Sequence, residues 1–191
     1  MANRYWVGGT GTWDTTTTTH WSASSGGASG ASVPTAADSV FFDQAGTYSV
    51  TCTGALTCLD LTVSAGTVTF LSGTAPSMAI SGSLSLIAGT VVTTGWGNIT
   101  FNATTTGKTL TTNGAVVGQG AGATVTFNGV GGGWTLGSAW STGGSGQVLI
   151  TNGTLNTSAS NYSLSAGTGI NTNLTVNGGT LTCNGSTITT G

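Results

Sequence analysis

From Leu61 onward the chain is built of short segments that alternate polar with apolar residues: Leu61-Thr62-Val63, Thr67-Val68-Thr69-Phe70, Ser83-Leu84-Ser85-Leu86, Asn98-Ile99-Thr100-Phe101, Thr124-Val125-Thr126-Phe127 and Thr180-Leu181-Thr182-Cys183. Thr109-Leu110-Thr111, Val148-Leu149-Ile150 and Leu174-Thr175-Val176 belong to the same set. Period-2 alternation over a few residues is the signature of a strand with one buried face. Turns containing Gly separate the segments, among them Ser64-Ala65-Gly66, Ala88-Gly89, Asn113-Gly114, Asn128-Gly129, Asn152-Gly153 and Asn177-Gly178-Gly179. Thr and Val are abundant and the chain holds 34 Gly, whereas the strong helix formers are scarce. That balance disfavours helix and favours short strands, so the expected class is all-β.

Two architectures use such segments. Asn-Gly marks type I′ hairpins, which would lead to a β-sandwich. In the other, each strand stacks on the strand one coil away and the corners need residues with positive φ, giving an irregular right-handed parallel β-helix, a β-solenoid. Related phrases recur at coil-like distances. Asn152-Gly153-Thr154-Leu155 matches Gly178-Gly179-Thr180-Leu181, and Ala65-Gly66-Thr67-Val68 matches Ala88-Gly89-Thr90-Val91 at a shorter spacing. The solenoid is the leading reading and the sandwich its alternative. Outward Thr would form hydroxyl ladders while inward Val, Leu, Ile and Phe fill a narrow core.

Composition removes several classes of function. Only 3% of the 191 residues are charged and the net charge is −2, so no basic patch exists to bind nucleic acid or an anionic membrane. Disorder is opposed by 37% hydrophobic residues, with six Trp, five Phe and three Tyr. No run approaches the roughly 20 apolar residues of a membrane-spanning helix. The opening Met1-Ala2-Asn3-Arg4-Tyr5-Trp6 shows no basic region followed by an apolar stretch, so no secretory signal is expected.

Residues 1–50 differ in texture from residues 51–191. They hold three of the six Trp, the one His and three of the four Asp, and are read as a capping or attachment segment before a solenoid body. The segment reads Tyr5-Trp6-Val7-Gly8-Gly9-Thr10-Gly11-Thr12-Trp13-Asp14, then His20-Trp21-Ser22, then Val33-Pro34-Thr35-Ala36-Ala37-Asp38-Ser39-Val40-Phe41-Phe42-Asp43. This pattern resembles the opening module of bacteriophage structural proteins of the tail-fibre, appendage and head-decoration kind, and Val125 to Leu136 followed by Leu149 to Leu155 is similar to their β-helical body. The resemblance implies a non-enzymatic virion component made in the host cytoplasm, with other virion proteins as partners, a homo-oligomer such as a trimer formed through uncharged faces, and a host-surface glycan or receptor as a further partner. The residues themselves are compatible. An open solenoid end exposes strand edges and core, and Trp6, Trp13, Trp21, Phe41 and Phe42 are bulky enough to plug it, with Pro34, Asp38 and Asp43 forming the adjoining turn.

Chemistry is poorly supplied. A glycosidase-like pair from Asp38 and Asp43 would need carboxylates about 5.5 Å or about 6.5–9.5 Å apart, and His20 sits in a polar loop rather than beside a nucleophile. Cys52, Cys58 and Cys183 form no Cys-x-x-Cys unit, so zinc is not expected and free buried thiols are, although a Cys52–Cys58 pairing stays open. No calcium-loop pattern surrounds Asp14, Asp38 or Asp43, and Gly131-Gly132-Gly133 and Gly143-Gly144 lack the Lys and helix of a phosphate loop. No catalytic, cofactor or metal residue is therefore expected. The sequons at Asn98, Asn102 and Asn161 are what chance supplies in this composition. The alternatives to a virion role are a bacterial surface adhesin and an ice-binding solenoid, the latter suggested by the pairs Thr67/Thr69, Thr109/Thr111, Thr124/Thr126, Thr180/Thr182 and Thr187/Thr189.

Overall fold

A computed structural model describes residues 1–92, 96–118, 123–167 and 173–190. Gly191, the last residue of the expected body, lies outside the described residues. Among the described residues there is no helix. The strands in chain order are β1 (Asn3–Trp6), β2 (Gly11–Trp13), β3 (Trp21–Ser22), β4 (Ser39–Phe42), β5 (Thr47–Cys52), β6 (Ala55–Cys58) and β7 (Leu61–Val63). They continue with β8 (Thr67–Ser72), β9 (Ser77–Ile80), β10 (Leu84–Ser85), β11 (Val91–Val92), β12 (Asn98–Phe101), β13 (Lys108–Thr111) and β14 (Thr124–Leu136). The last are β15 (Trp140–Thr142), β16 (Gln147–Asn156), β17 (Leu164–Ala166), β18 (Leu174–Val176), β19 (Thr180–Thr182) and β20 (Ile188–Thr190).

The strands stack in parallel into a β-solenoid of about six coils. Three faces are visited in a constant order. The first face carries β1, β4, β7, β10 and β13, then the second halves of β14 and β16, then β19. The second carries β6, β9 and β12, then the first halves of β14 and β16, then β18. The third carries β2, β5, β8 and β11 in the early coils and β15, β17 and β20 in the late ones. Among the described strands only β3, laid on β1, pairs antiparallel.

Alternation within each strand becomes stacking between coils. On the first face Val40, Leu61, Leu84, Leu110 and Leu136 lie directly over one another, so successive coils take 21, 23, 26 and 26 residues. On the second face Leu56, Met78, Ile99, Val125 and Val148 form one inward column and Cys58, Ile80, Phe101, Phe127 and Ile150 another. Every member of these columns is buried. Outward positions hold Thr57, Ala79, Thr100, Thr126 and Leu149, all partly exposed. Aromatic rings extend the core along the axis: Phe42 meets Phe70 at 5.1 Å, Phe70 meets Trp96 at 4.9 Å and Phe101 stacks on Phe127 at 5.0 Å.

Corners explain why the hairpin signal did not produce a sandwich. Asn113 (φ 48°) and Gly114 (φ 89°) both adopt the left-handed backbone that a type I′ turn uses, yet the chain turns from one solenoid face to the next. At the corner inside β14 and β16, Asn152 donates to Asn128 Oδ1 at 2.7 Å and Thr151 donates to the same oxygen at 2.9 Å, so polar side chains also stack coil on coil. Gly129 is required there by proximity: a Cβ would overlap the Ala103 carbonyl of the coil below.

The phrase Thr154-Leu155 does stack on Thr180-Leu181. The other repeated phrase is offset by one residue. Aligning Ala65-Gly66-Thr67-Val68 with Ala88-Gly89-Thr90-Val91 would place Val91 over Val68, but the structure pairs Val91 with Thr69 and Val92 with Phe70. A one-residue slip exchanges the two faces of a strand, so Val92 is buried and Val91 is 41% exposed. Val92→Ser is therefore expected to destabilise the fold by roughly 1.5–3 kcal/mol and Val91→Ser by under about 1 kcal/mol; denaturant midpoints that ranked the other way would mean the phrase alignment sets the register.

Candidate functional site

The residues expected to plug the solenoid converge at its N-terminal end. Trp6 comes from β1, Trp13 from β2, Trp21 from β3 and Phe42 from β4, and all four are fully buried. Trp21 sits edge-on to Trp6 at 5.1 Å and to Trp13 at 5.2 Å, and Trp6 stacks on Phe42 at 5.6 Å. Such contacts add about 0.5–1.5 kcal/mol per pair beyond area burial. The Trp6 indole N–H donates to the Gly9 carbonyl at 2.7 Å. Phe41 is placed differently from the expectation. Adjacent residues of a strand point to opposite faces, so with Phe42 inside, Phe41 lies on the outer face, half-buried and stacked on Tyr5 at 4.9 Å.

Loops close what the rings leave open. The His20 ring lies flat on Trp6 at 4.7 Å, and its Nδ1 is 2.9 Å from the Val7 carbonyl. Since a carbonyl only accepts, that nitrogen carries the proton. A Cβ at Gly11 would collide with the His20 ring, so this glycine admits the imidazole over β2. Beside β6, Trp13, Asp14, Val33, Pro34 and Leu56 border a cleft of about 220 Å³. Arg4 occupies the register position over Val40 in the first-face inward column. Its guanidinium donates to the Ser32 carbonyl at 2.9 Å, to Ser32 Oγ at 2.7 Å and to the Asn3 carbonyl at 2.9 Å. The strand position above Val40 is therefore taken by a residue whose charged end is held by exposed hydrogen bonds.

The carboxylates serve as acceptors. Asp38 Oδ1 takes the Ala2 N–H at 2.9 Å, and Oδ2 takes the Thr35 N–H at 3.1 Å and the Thr35 hydroxyl at 2.8 Å, tying the chain start to the Pro34 turn. Burial pushes the Asp38 carboxyl up, but the Thr35 and Ala2 hydrogen bonds and the nearby Arg4 outweigh it and hold it below the ordinary carboxylate range. Asp14 follows the same logic, with burial opposed by Thr16 and Thr17 and the balance again downward. Asp43, expected in the same turn, instead accepts from the Gln44 side chain at 2.8 Å. Asp60, which sequence reasoning did not single out, bridges coils by accepting from Ser39 Oγ at 3.0 Å and from the Ser83 N–H at 2.7 Å. Nothing in its local sequence marks it, since both partners lie a coil away.

Other candidate chemistry is dispersed. Among the described residues no three His, Cys, Asp or Glu side chains cluster as metal ligands would. The three cysteines are free thiols; Cys52 and Cys58 are buried, whereas Cys183 is half-buried rather than enclosed. Burial raises the Cys52 thiol, and burial with a contribution from Asp60 raises Cys58. A shallow groove of about 260 Å³ on the first face, over Trp134, is lined by Thr106, Thr135, Thr154 and Asn156. The Thr pairs do not share a face. Thr67 and Thr69 are on the third, Thr124 and Thr126 on the second, and Thr109, Thr111, Thr180 and Thr182 on the first, where the column Thr109, Thr135, Asn156, Thr182 is interrupted by Asn156. Comparison with protein-family models, curated proteins and solved structures finds no match to this chain.

Two measurements follow from this geometry. Asp14 and Asp38 have lowered folded pKa values, so their contribution is present above pH about 4 and lost as pH falls through the folded values. Burial, with Asp43 adding to it, pushes Tyr48 up to about 12, and Cys52 and Cys58 are also raised; their contribution is complete below the free thiol range near pH 8.5 and lost as pH rises past it. Thermal melts should show a plateau between about pH 5 and pH 8 with a decline on both sides, and Asp38→Asn should blunt only the acid limb. Because the Thr pairs of the described residues are spread over three faces, the purified chain should give no thermal hysteresis in a freezing-point assay.

Proposed function

We propose that this chain is a non-enzymatic structural component of a bacteriophage virion, a fibre, tail appendage or head-decoration protein whose solenoid forms a rigid projection or surface layer. The reading rests first on the resemblance of the segment Tyr5 to Asp43 to the opening module of such proteins. The observation that carries it furthest is the division of labour along the solenoid. All six charged residues lie in the first 108 positions, and the carboxylates and Arg4 are engaged in closing turns and coils. Beyond Lys108 the body carries no charge, and ladders of backbone, Thr and Asn hold it together. A particle component gains from that construction, because the body beyond Lys108 holds no Asp, Glu, His, Lys or Arg whose interactions salt could screen when the particle passes between media.

On this reading the plugged N-terminal end and its loops are the part that meets other virion proteins, and the neutral outer faces meet solvent or a host-surface glycan. Particles purified from lysates of a strain carrying this gene are expected to contain the chain by mass spectrometry and to bind antibody raised against it at discrete positions in electron microscopy. Particles free of the chain would sink the proposal.

A further inference from the structure

The first coil omits one strand. Between β2 on the third face and β4 on the first, residues 14–38 place no strand on the second face, where each later coil has one. The strand this stretch does contain, β3, lies on β1 instead. β6 therefore begins the second face, and it pairs with β9 alone. Its hydrogen-bonding phase is fixed, because the Ser77 N–H donates to the Gly54 carbonyl and the Ser81 N–H to the Cys58 carbonyl. Successive residues of a parallel strand bond to opposite neighbours, so the N–H and C=O groups of Ala55 and Thr57 point away from β9, toward the first coil. That coil engages them only at the two ends of the stretch. The Thr53 N–H donates to the Trp13 carbonyl at 2.9 Å and the Leu59 N–H to the Asp38 carbonyl at 2.8 Å. Between these bonds Ala55 and Thr57 find no partner on that side among the described residues. They border the cleft of about 220 Å³ whose other walls are Trp13, Asp14, Val33 and Pro34.

We propose that this cleft binds an extended segment of another protein, which adds a short parallel strand to β6 and supplies the strand the first coil omits. N–H and C=O groups at strand spacing are matched by the main chain of a strand, a mode in which backbone bonds give affinity and alternate side chains give specificity. The side chain set over Leu56 continues the inward column of the second face and is apolar. Asp14, at the end where a parallel strand enters, is the one charged residue of the cleft. Its carboxylate takes only uncharged donors, from Thr16 and Thr17, which hold it ionised. The residue that precedes the apolar one is therefore Lys or Arg. A second copy of this chain cannot supply such a segment, because its two cations, Arg4 and Lys108, lie in strands already paired on both sides. The proposal stands apart from the virion reading, and a peptide tests it without a particle.

Titration of the isotopically labelled 191-residue chain with the peptide acetyl-Lys-Val-Thr-Val-amide decides it. In the expected register the Ala55 N–H donates to the acetyl carbonyl, and the first Val donates to the Ala55 carbonyl and accepts from the Thr57 N–H. Saturable shifts of the Ala55 and Thr57 amide resonances are expected at millimolar peptide, with slowed hydrogen exchange at both. Methylating the nitrogen of the first Val should abolish them. Replacing the peptide Lys by Glu should weaken binding about two- to fivefold, a difference that Asp14→Asn should erase. Thr57→Pro removes an N–H from an edge strand, where Pro is tolerated; it should keep the circular dichroism spectrum and lose binding. An absence of saturable shifts at Ala55 and Thr57, binding that survives N-methylation or Thr57→Pro, or equal binding of the Lys and Glu peptides would each overturn the proposal.

Discussion

Vertical register is the constraint on which everything else in this protein depends. An inward residue of one coil must lie over an inward residue of the next, because a slip of one position would carry a whole strand's apolar set to solvent. The column Val40, Leu61, Leu84, Leu110, Leu136 satisfies this although its coils differ in length by up to five residues. The variation is absorbed at corners, where β14 carries Gly129 to Gly132 between Asn128 and Gly133 while β16 passes from Asn152 to Thr154. Strands are held along their length by ladders to the coils above and below, whereas the corner at Asn128 and Asn152 is held by a few side-chain hydrogen bonds and the close approach at Gly129, so length is freer to vary there.

That arrangement also explains how a chain with six charged residues remains ordered. Stability is distributed over parallel ladders and a core one column deep on each side, and each coil contacts only its neighbours. Such a body has no thick centre that shields its ends. Four large aromatic rings, Trp6, Trp13, Trp21 and Phe42, are therefore spent on one end, where the core would otherwise face water. The Trp21 indole N–H is buried there without a hydrogen-bond acceptor among the described residues, and its ring stands at 84° to that of Trp6 and 74° to that of Trp13. The charged groups are placed where turns must be fixed or coils bridged, as Asp38 and Asp60 show.

Much of this was legible locally. Period-2 alternation identified the strands, and the scarcity of helix formers excluded helices. The aromatic N-terminal segment stood apart from the rest. Less legible was anything that depends on which residue lies one coil away. Asn-Gly at 113–114 has the same backbone in a hairpin and in a solenoid corner. Phe41 and Phe42 look equivalent as letters, and only the facing of Val40 and Leu61 sends Phe42 inward and Phe41 out against Tyr5. Asp60 carries no motif because its hydrogen-bond partners, Ser39 and Ser83, are 21 and 23 residues away.

By itself, then, the sequence determined the all-β class, the strand segments and the Gly corners, since these follow from side-chain alternation and backbone freedom within a few residues. It also determined that the body beyond Lys108 is uncharged. The tertiary structure decided the register, the offset that exposes Val91 and buries Val92, and the assembly of rings from four strands into one plug. The register relates coils 20 or more residues apart and the plug joins four separate strands, and local propensity contains no information about which residue another strand will supply.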